Sequence, residues 1–123
     1  MGEVTIAGRE DPDGLTLVTS GLSARGLPEL TVTGLPPYLG QAWARLLAVL
    51  AHRLAATGPD VPPEVTLVPA DLAAIGERPG DWRQVTIALT REGDHLVPSP
   101  PPGTETGRWR TELARLLFPA ARG

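Results

Sequence analysis

The stretch that decides the fold runs from Tyr38 to Ala56 and reads YLGQAWARLLAVLAHRLAA. Its large apolar residues recur at the period of an α-helix and form one narrow stripe. Pro36 and Pro37 precede the stretch, as suits the first turn of a helix, and Gly58 and Pro59 follow it in the order that ends one. The pattern predicts a long amphipathic helix that covers one face of a sheet. The stripe consists of Trp43, Leu46, Leu47, Leu50 and Leu54.

Shorter segments on both sides of this helix carry the alternation and the β-branched residues of strands. The clearest is residues 83–90, where Val85, Ile87 and Leu89 share one face and threonine and alanine share the other. Residues 91–94 then predict a hairpin turn. The predicted strands are Val4–Ala7, Leu15–Thr19, Leu30–Thr33, Val65–Val68, Arg83–Thr90 and His95–Val97.

The C-terminal part predicts a linker and a second helix. Residues 98–105 are rich in proline and predict a polyproline-like linker. Thr104 or Thr106 is expected to cap a helix over residues 106–118, where apolar residues again recur at helical spacing. We therefore expect residues 1–123 to form one α+β domain. It should consist of a mostly antiparallel sheet of about four to six strands, the long helix that covers it, and a C-terminal helix as a brace.

The composition narrows the classes of function. The chain has 123 residues, a net charge of −3, no cysteine, and arginine as its one basic side chain apart from histidine. Nucleic acid is disfavoured as a partner, because phosphate binding needs a concentrated basic surface. Disulfides and thiolate chemistry are excluded. Neither a bilayer-length apolar run of about 20 residues nor a signal peptide is visible, so we expect a cytoplasmic protein without a membrane partner.

Several short motifs follow one another in the order typical of a bacterial family: Ser20–Leu22, Leu27–Leu30, the helix Ala42–Ala56, the strand Val85–Leu89, Glu92–Gly93 and Pro102–Gly103. On these motifs the chain resembles a divergent member of the domain of unknown function 4262. Leu27 stands where that family carries a histidine, so no imidazole function is implied there. The resemblance implies the fold rather than an activity, because the family has no established activity.

Two residues are candidate catalytic groups, Glu29 and His95. Glu29 opens a strand between Leu27 and Leu30, and partial burial there would raise the pKa of the carboxyl and suit it to acid–base work. A structural alternative is that Glu29 pairs with Arg25 or caps a loop backbone. His95 follows Asp94 at a hairpin tip, where the carboxylate would orient the imidazole as a general base. The alternative for His95 is an exposed turn residue.

Four further residues are candidate ligand-binding groups. Arg25 lies close to Glu29 along the chain, and Trp82 lies between Asp81 and Arg83. Trp82 would line a pocket, and Arg83 would serve as a polar handle. Trp43 is either a second pocket wall or a core residue of its helix. The sequence contains no metal-ligand spacing and no glycine-rich phosphate loop, so we expect neither a metal nor a cofactor.

Two classes of function remain open. The first is an accessory or binding protein that acts through surface contacts, with a protein partner or a second copy of the chain. The second is a small cofactor-free enzyme of bacterial secondary metabolism, of the cyclase or isomerase type, acting on an apolar small molecule. An apolar pocket lined by tryptophans, with Glu29 pointing into it, would favour the enzyme. A filled core with an apolar outer surface would favour the binding protein.

Overall fold

The chain forms six strands and three α-helices over the residues that the structure, a computed structural model, describes: 4–57, 61–74, 76 and 82–118. Two 3-10 turns, Ser23–Arg25 and Pro37–Leu39, precede the third strand and the first helix. None of the helices in these ranges is long and apolar enough to cross a membrane. The strands are β1 Thr5–Asp11, β2 Gly14–Ser20, β3 Glu29–Leu35, β4 Glu64–Leu67, β5 Val85–Glu92 and β6 His95–Ser99; the helices are α1 Gly40–Thr57, α2 Pro69–Ala74 and α3 Thr106–Leu117.

The six strands form one sheet in the order β1-β2-β3-β6-β5-β4. Every neighbouring pair is antiparallel except β3 and β6, which run parallel. This parallel pair joins β1, β2 and β3 to the other three strands. The predicted α+β class, with a mostly antiparallel sheet, one long helix and a C-terminal helix in a single domain, is confirmed.

Helix α1 lies at the centre of the molecule. It packs on β1, β2 and β3 and also contacts α2 and α3. Burial therefore extends beyond the predicted stripe to Ala42, Val49 and Ala51. The Trp43 ring meets Trp109 of α3 edge to face, with ring centroids 5.6 Å apart. The predicted stripe, Trp43, Leu46, Leu47, Leu50 and Leu54, is buried throughout.

The beginning of α1 differs from the prediction. Tyr38 belongs to the 3-10 turn, and the α-helix begins at Gly40. The turn is closed by a hydrogen bond that the Leu39 N–H donates to the Pro36 carbonyl at 2.9 Å, a 3-10 spacing that is frequent at helix ends. Gly58 and Pro59, which were expected to end the helix, lie outside the described residues.

Two corrections concern the C-terminal part. Pro98 and Ser99 belong to β6, where Pro98 pairs with Leu89 of β5 and is buried, so the irregular linker begins at residue 100. The cap of α3 is Glu105, not a threonine: its carboxylate accepts hydrogen bonds from the N–H groups of Gly107 and Arg108 at 2.7 and 3.0 Å. A negative charge at this end is favourable because the first N–H groups of a helix lack partners.

The outer face of the sheet carries several threonine and serine side chains over β4, β5 and β6, and no helix from the described part of the chain. Along β5, exposed Thr86 and Thr90 alternate with more buried apolar residues. Hydroxyl groups pair across neighbouring strands, Thr66 with Thr86 and Thr90 with Ser99, each at 2.9 Å. The architecture is therefore a two-layer sandwich, with the helices on one face of the sheet.

Gly14 marks a close approach between the first hairpin and β3. Its φ of +131° is rarely adopted by residues with a side chain. A Cβ atom there would lie 2.9 Å from the backbone carbon of Gly34 and 2.9 Å from the carbonyl oxygen of Leu35. Both the backbone angle and the available space therefore require glycine.

We expect Gly14→Ala to lower the free energy of unfolding by about 3 kcal/mol, because backbone strain and overlap with β3 add. Gly26→Ala is the matched control: Gly26 also has a positive φ, but a Cβ atom there meets nothing within 4 Å, so about 1 kcal/mol is expected. Urea denaturation of both variants measures the difference. Equal losses would show that the approach to β3 adds no strain.

Candidate functional site

The two candidate catalytic residues lie side by side at one end of the sheet. Glu29 and His95 begin the parallel strands β3 and β6 and are partners in the register. They lie at an open depression of about 410 Å³, here called the β3–β6 depression. Its lining residues are Ser23, Gly26, Leu27, Pro28, Glu29, Arg91, Asp94 and His95. The sequence alone did not reveal this proximity, which results from the parallel pairing of strands 66 positions apart.

The Glu29 carboxylate is held by four donors. The hydroxyl of Thr19 and the backbone N–H of Ser23 each donate to it at 2.8 Å. The N–H groups of Gly21 and Leu22 donate at 3.1 and 3.3 Å. Three successive backbone N–H groups thus surround one carboxylate, the arrangement of an anion-binding nest. Of the two structural alternatives for Glu29, the contacts match the one in which it caps a loop backbone.

The expectation that the pKa of Glu29 is raised is wrong. Burial does raise the pKa of this carboxyl, but hydrogen bonds from Ser23, Thr19 and Gly21 outweigh burial, and the pKa lies below its ordinary value of 4.5. The carboxylate is therefore ionised near neutral pH and carries no proton to donate. Its lone pairs are already occupied by the loop, which makes it an anchor of the β2–β3 connection.

Thr19 is a residue that the sequence interpretation missed. It is 1% exposed, the one buried polar side chain in the described core. Its Oγ1 donates to Glu29 and accepts a hydrogen bond from the Leu30 N–H at 2.8 Å. The available signal was its position, because Thr19 has the same strand parity as the buried Leu17 and so faces the core.

His95 is half-buried in the β3–β6 depression. Its side chain makes no hydrogen bond with the described residues, while Arg91 and Asp94 are exposed around it. The depression therefore offers an imidazole, a guanidinium and a carboxylate to solvent, beside the engaged carboxylate of Glu29. Charged groups of both signs suit a polar ligand, not an apolar one.

The candidate ligand-binding residues do not gather at this depression. Arg25 is exposed on the neighbouring 3-10 turn, and Arg83 is exposed just before β5. Trp43 lies in the core, and its Nε1 donates to the Arg110 carbonyl at 3.1 Å. Trp82 is 9% exposed, and its Nε1 has no hydrogen-bond partner among the described residues. Asp81 lies outside the described residues.

A second concave surface lies between the beginning of α1 and helix α3, and we call it the α1–α3 groove. Its volume is about 180 Å³, and its walls are mostly apolar. Tyr38, at its rim, is 66% exposed. The sequence interpretation did not identify this surface, because its two walls lie 69 or more positions apart along the chain. Its lining residues are Tyr38, Leu39, Ala42, Thr111, Ala114, Arg115 and Phe118.

Helix α3 is tied to the sheet by Arg110. Its Nη1 donates to the Thr33 carbonyl at 2.8 Å. Burial lowers the pKa of the guanidinium. Its Nε is buried and has no hydrogen-bond partner within the described part of the chain. Together with the Trp43 bond, this contact holds α3 against both α1 and β3.

Metal-binding residues do not cluster within the described ranges: no group of three or more His, Cys, Asp or Glu side chains is placed to hold an ion. Neither a family model, a curated protein nor a solved structure matches this chain. The relationship to the domain of unknown function 4262 stays a prediction.

We expect Glu29→Gln to lower the free energy of unfolding by about 2 kcal/mol at pH 7. The amide carries no charge, and its NH2 group would face the loop N–H donors without being able to accept a hydrogen bond from them. Since the folded pKa of Glu29 is lowered, its stabilisation is present above about pH 4.5 and is lost as the pH falls through the folded value. The gap between the unaltered protein and the variant should therefore shrink below pH 4.5. Urea denaturation between pH 7 and pH 3 measures it.

The matched control is Glu10→Gln, which makes the same replacement of a carboxylate by an amide at an exposed position on β1. We expect a loss of less than about 0.5 kcal/mol there. A gap between the unaltered protein and Glu29→Gln that stays constant from pH 7 to pH 3 would contradict the anchoring role of the ionised carboxylate.

Proposed function

We propose that the protein is a non-enzymatic accessory or binding protein that acts through contacts at its surface. The observation that carries the proposal is the state of Glu29, whose carboxylate is engaged by four donors and has a lowered pKa. General acid catalysis needs a raised pKa and a free proton. Trp43, Trp82 and Trp109 are buried with the core, which also supports a binding protein over an enzyme with a tryptophan-lined pocket.

The contact surface in this proposal is the α1–α3 groove. A site for a cofactor or a drug-sized molecule usually has a volume of about 300–1,000 Å³, and the groove has about 180 Å³. It is of a size to receive one or two side chains of a protein. Tyrosine and arginine, which stand at the groove as Tyr38 and Arg115, are enriched among the residues that dominate binding energy at interfaces.

The proposal includes a cytoplasmic location and a distant relationship to the domain of unknown function 4262. The absence of cysteine supports the location, because exported small domains often use disulfides. The order of the motifs from Ser20 to Gly103 supports the relationship.

A second candidate function is a small cofactor-free enzyme of the cyclase or isomerase type. One observation favours it: the register places His95 beside Glu29 in the β3–β6 depression, with Arg91 within the same lining. In this alternative His95 is the base, Arg91 binds an anionic group of the substrate, and Glu29 holds the loop that carries Ser23. The substrate would be polar or anionic.

Native mass spectrometry of the tagged protein recovered from its own host distinguishes the two candidates. For a binding protein we expect a stoichiometric complex with protein and no retained small molecule, in the unaltered chain and in His95→Ala alike. His95→Ala is a suitable probe because the imidazole makes no hydrogen bond with the described residues, so the fold should persist. A retained small molecule that His95→Ala loses would contradict the proposal and favour the enzyme.

A further inference from the structure

We propose that the α1–α3 groove receives Leu116 of a second copy of this chain, so that two copies associate side by side along α3. The inference rests on the proposed function and names its partner. The starting observation is that Tyr38 and Leu116, 66% and 47% exposed, are the large hydrophobic residues left in solvent among the described residues. One forms the rim of a groove, and the other projects from the helix that forms the opposite wall.

Helix α3 carries the groove and the projecting leucine on opposite flanks of its exposed face. At about 100° per residue, Thr111 and Leu116 lie about 140° apart around the helix, with Glu112 and Arg115 between them. Thr111 belongs to the groove, whereas Leu116 does not. A two-fold axis parallel to α3 and facing Glu112 and Arg115 sets two copies of the helix side by side, so that the Thr111 flank of each copy lies beside the Leu116 flank of the other. The same rotation therefore places Leu116 against the groove of the partner subunit, and does so twice.

The charges on this face agree with that arrangement. Arg115 is the charged residue of the groove lining, and it has no ion pair with any described residue. Glu112 lies one turn before Leu116 on the same side of the helix and is well exposed, in a surface pair with Arg108. The rotation brings Glu112 beside Arg115 of the partner subunit. Opposite charges on the two sides of a parallel helix pair are the usual determinants of such pairing.

The groove is preformed in the single chain. Leu39, Ala42, Ala114 and Phe118, which line it, are all buried. Its α3 wall is fixed to the sheet by Arg110 on Thr33 and to α1 by Trp43. A preformed site avoids the cost of ordering side chains on binding. A small interface of this kind should give a reversible dimer.

Sedimentation velocity between about 1 µM and 1 mM, the range of weak specific complexes, tests the proposal. We expect the unaltered chain to pass from monomer to dimer over this range. Arg115→Glu and Glu112→Arg should each weaken the dimer by about tenfold or more. Each variant brings two like charges together at both of the symmetry-related contacts between residues 112 and 115. The double variant, with both charges exchanged, should recover most of the affinity. Leu116→Ala should weaken the dimer without a change of charge.

Two controls separate this contact from general effects. Arg9→Glu makes the same charge change on exposed β1 and should leave the dimer unchanged. The single tyrosine and the single phenylalanine of the chain both line the groove, so ¹³C-labelled Tyr38 and Phe118 report its occupancy directly by NMR. Their signals should shift with protein concentration, and Arg115→Glu should abolish the shift.

A chain that stays monomeric at about 1 mM overturns the proposal. A dimer that forms without shifts at Tyr38 and Phe118, or that survives both charge reversals, overturns it as well, because the contact then lies elsewhere. If the chain is monomeric alone but Arg115→Glu abolishes its complex with another host protein, the groove has a different occupant. None of these results contradicts a binding function, which fails separately if a retained small molecule depends on His95.

Discussion

The burial of α1 is the constraint on which the rest of the structure depends. Its apolar surface is wider than one stripe, because Ala42, Val49 and Ala51 are buried along with the tryptophan and leucines. One sheet face cannot cover such a helix, so α2 and α3 also pack on it. The helices of the described residues consequently lie on one side of the sheet, and its outer face carries Thr66, Thr86, Thr90 and Ser99 over β4, β5 and β6. The position of α3 and the α1–α3 groove both follow from this need for cover.

Glu29 has a comparable role in the loop between β2 and β3. A carboxylate that accepts hydrogen bonds from Gly21, Leu22 and Ser23 supplies a negative charge to backbone donors that have no strand partner. Thr19 completes the arrangement from inside the core. A glutamate in an apolar stretch can thus serve structure through ionisation, whereas catalysis as an acid would need the opposite shift of its pKa.

The two concave surfaces differ in the chemistry that they offer. The β3–β6 depression is open and lined by charges of both signs around His95, which suits a polar ligand. The α1–α3 groove is smaller and apolar, with Arg115 as its charge, which suits the side chains of a protein. Size and polarity together favour the groove as the contact surface of a binding protein. The depression keeps an enzymatic alternative open to experiment.

The sequence by itself determined the local elements. The helical period of Trp43 and its leucines predicted the long helix, and the alternation at Val85–Leu89 predicted a strand of a hairpin, because each pattern depends on neighbours along the chain. The α+β class followed from them. The sequence also marked Glu29, between apolar neighbours, and His95, after Asp94 at a hairpin tip. The expected sign of the pKa shift of Glu29 was wrong, because the donors to its carboxylate come from the end of β2 and the loop after it, and their positions are set by the fold.

Only the tertiary structure decided which distant residues meet. The parallel pairing of β3 with β6 placed Glu29 beside His95, and the packing of α3 on α1 put Trp43 in the core and formed the groove between Tyr38 and Phe118. Such contacts depend on strand order and helix placement, which result from burying the whole apolar surface at once. A local sequence pattern contains no information on strand order or helix placement, so periodicity and spacing could not predict which residues meet at the site.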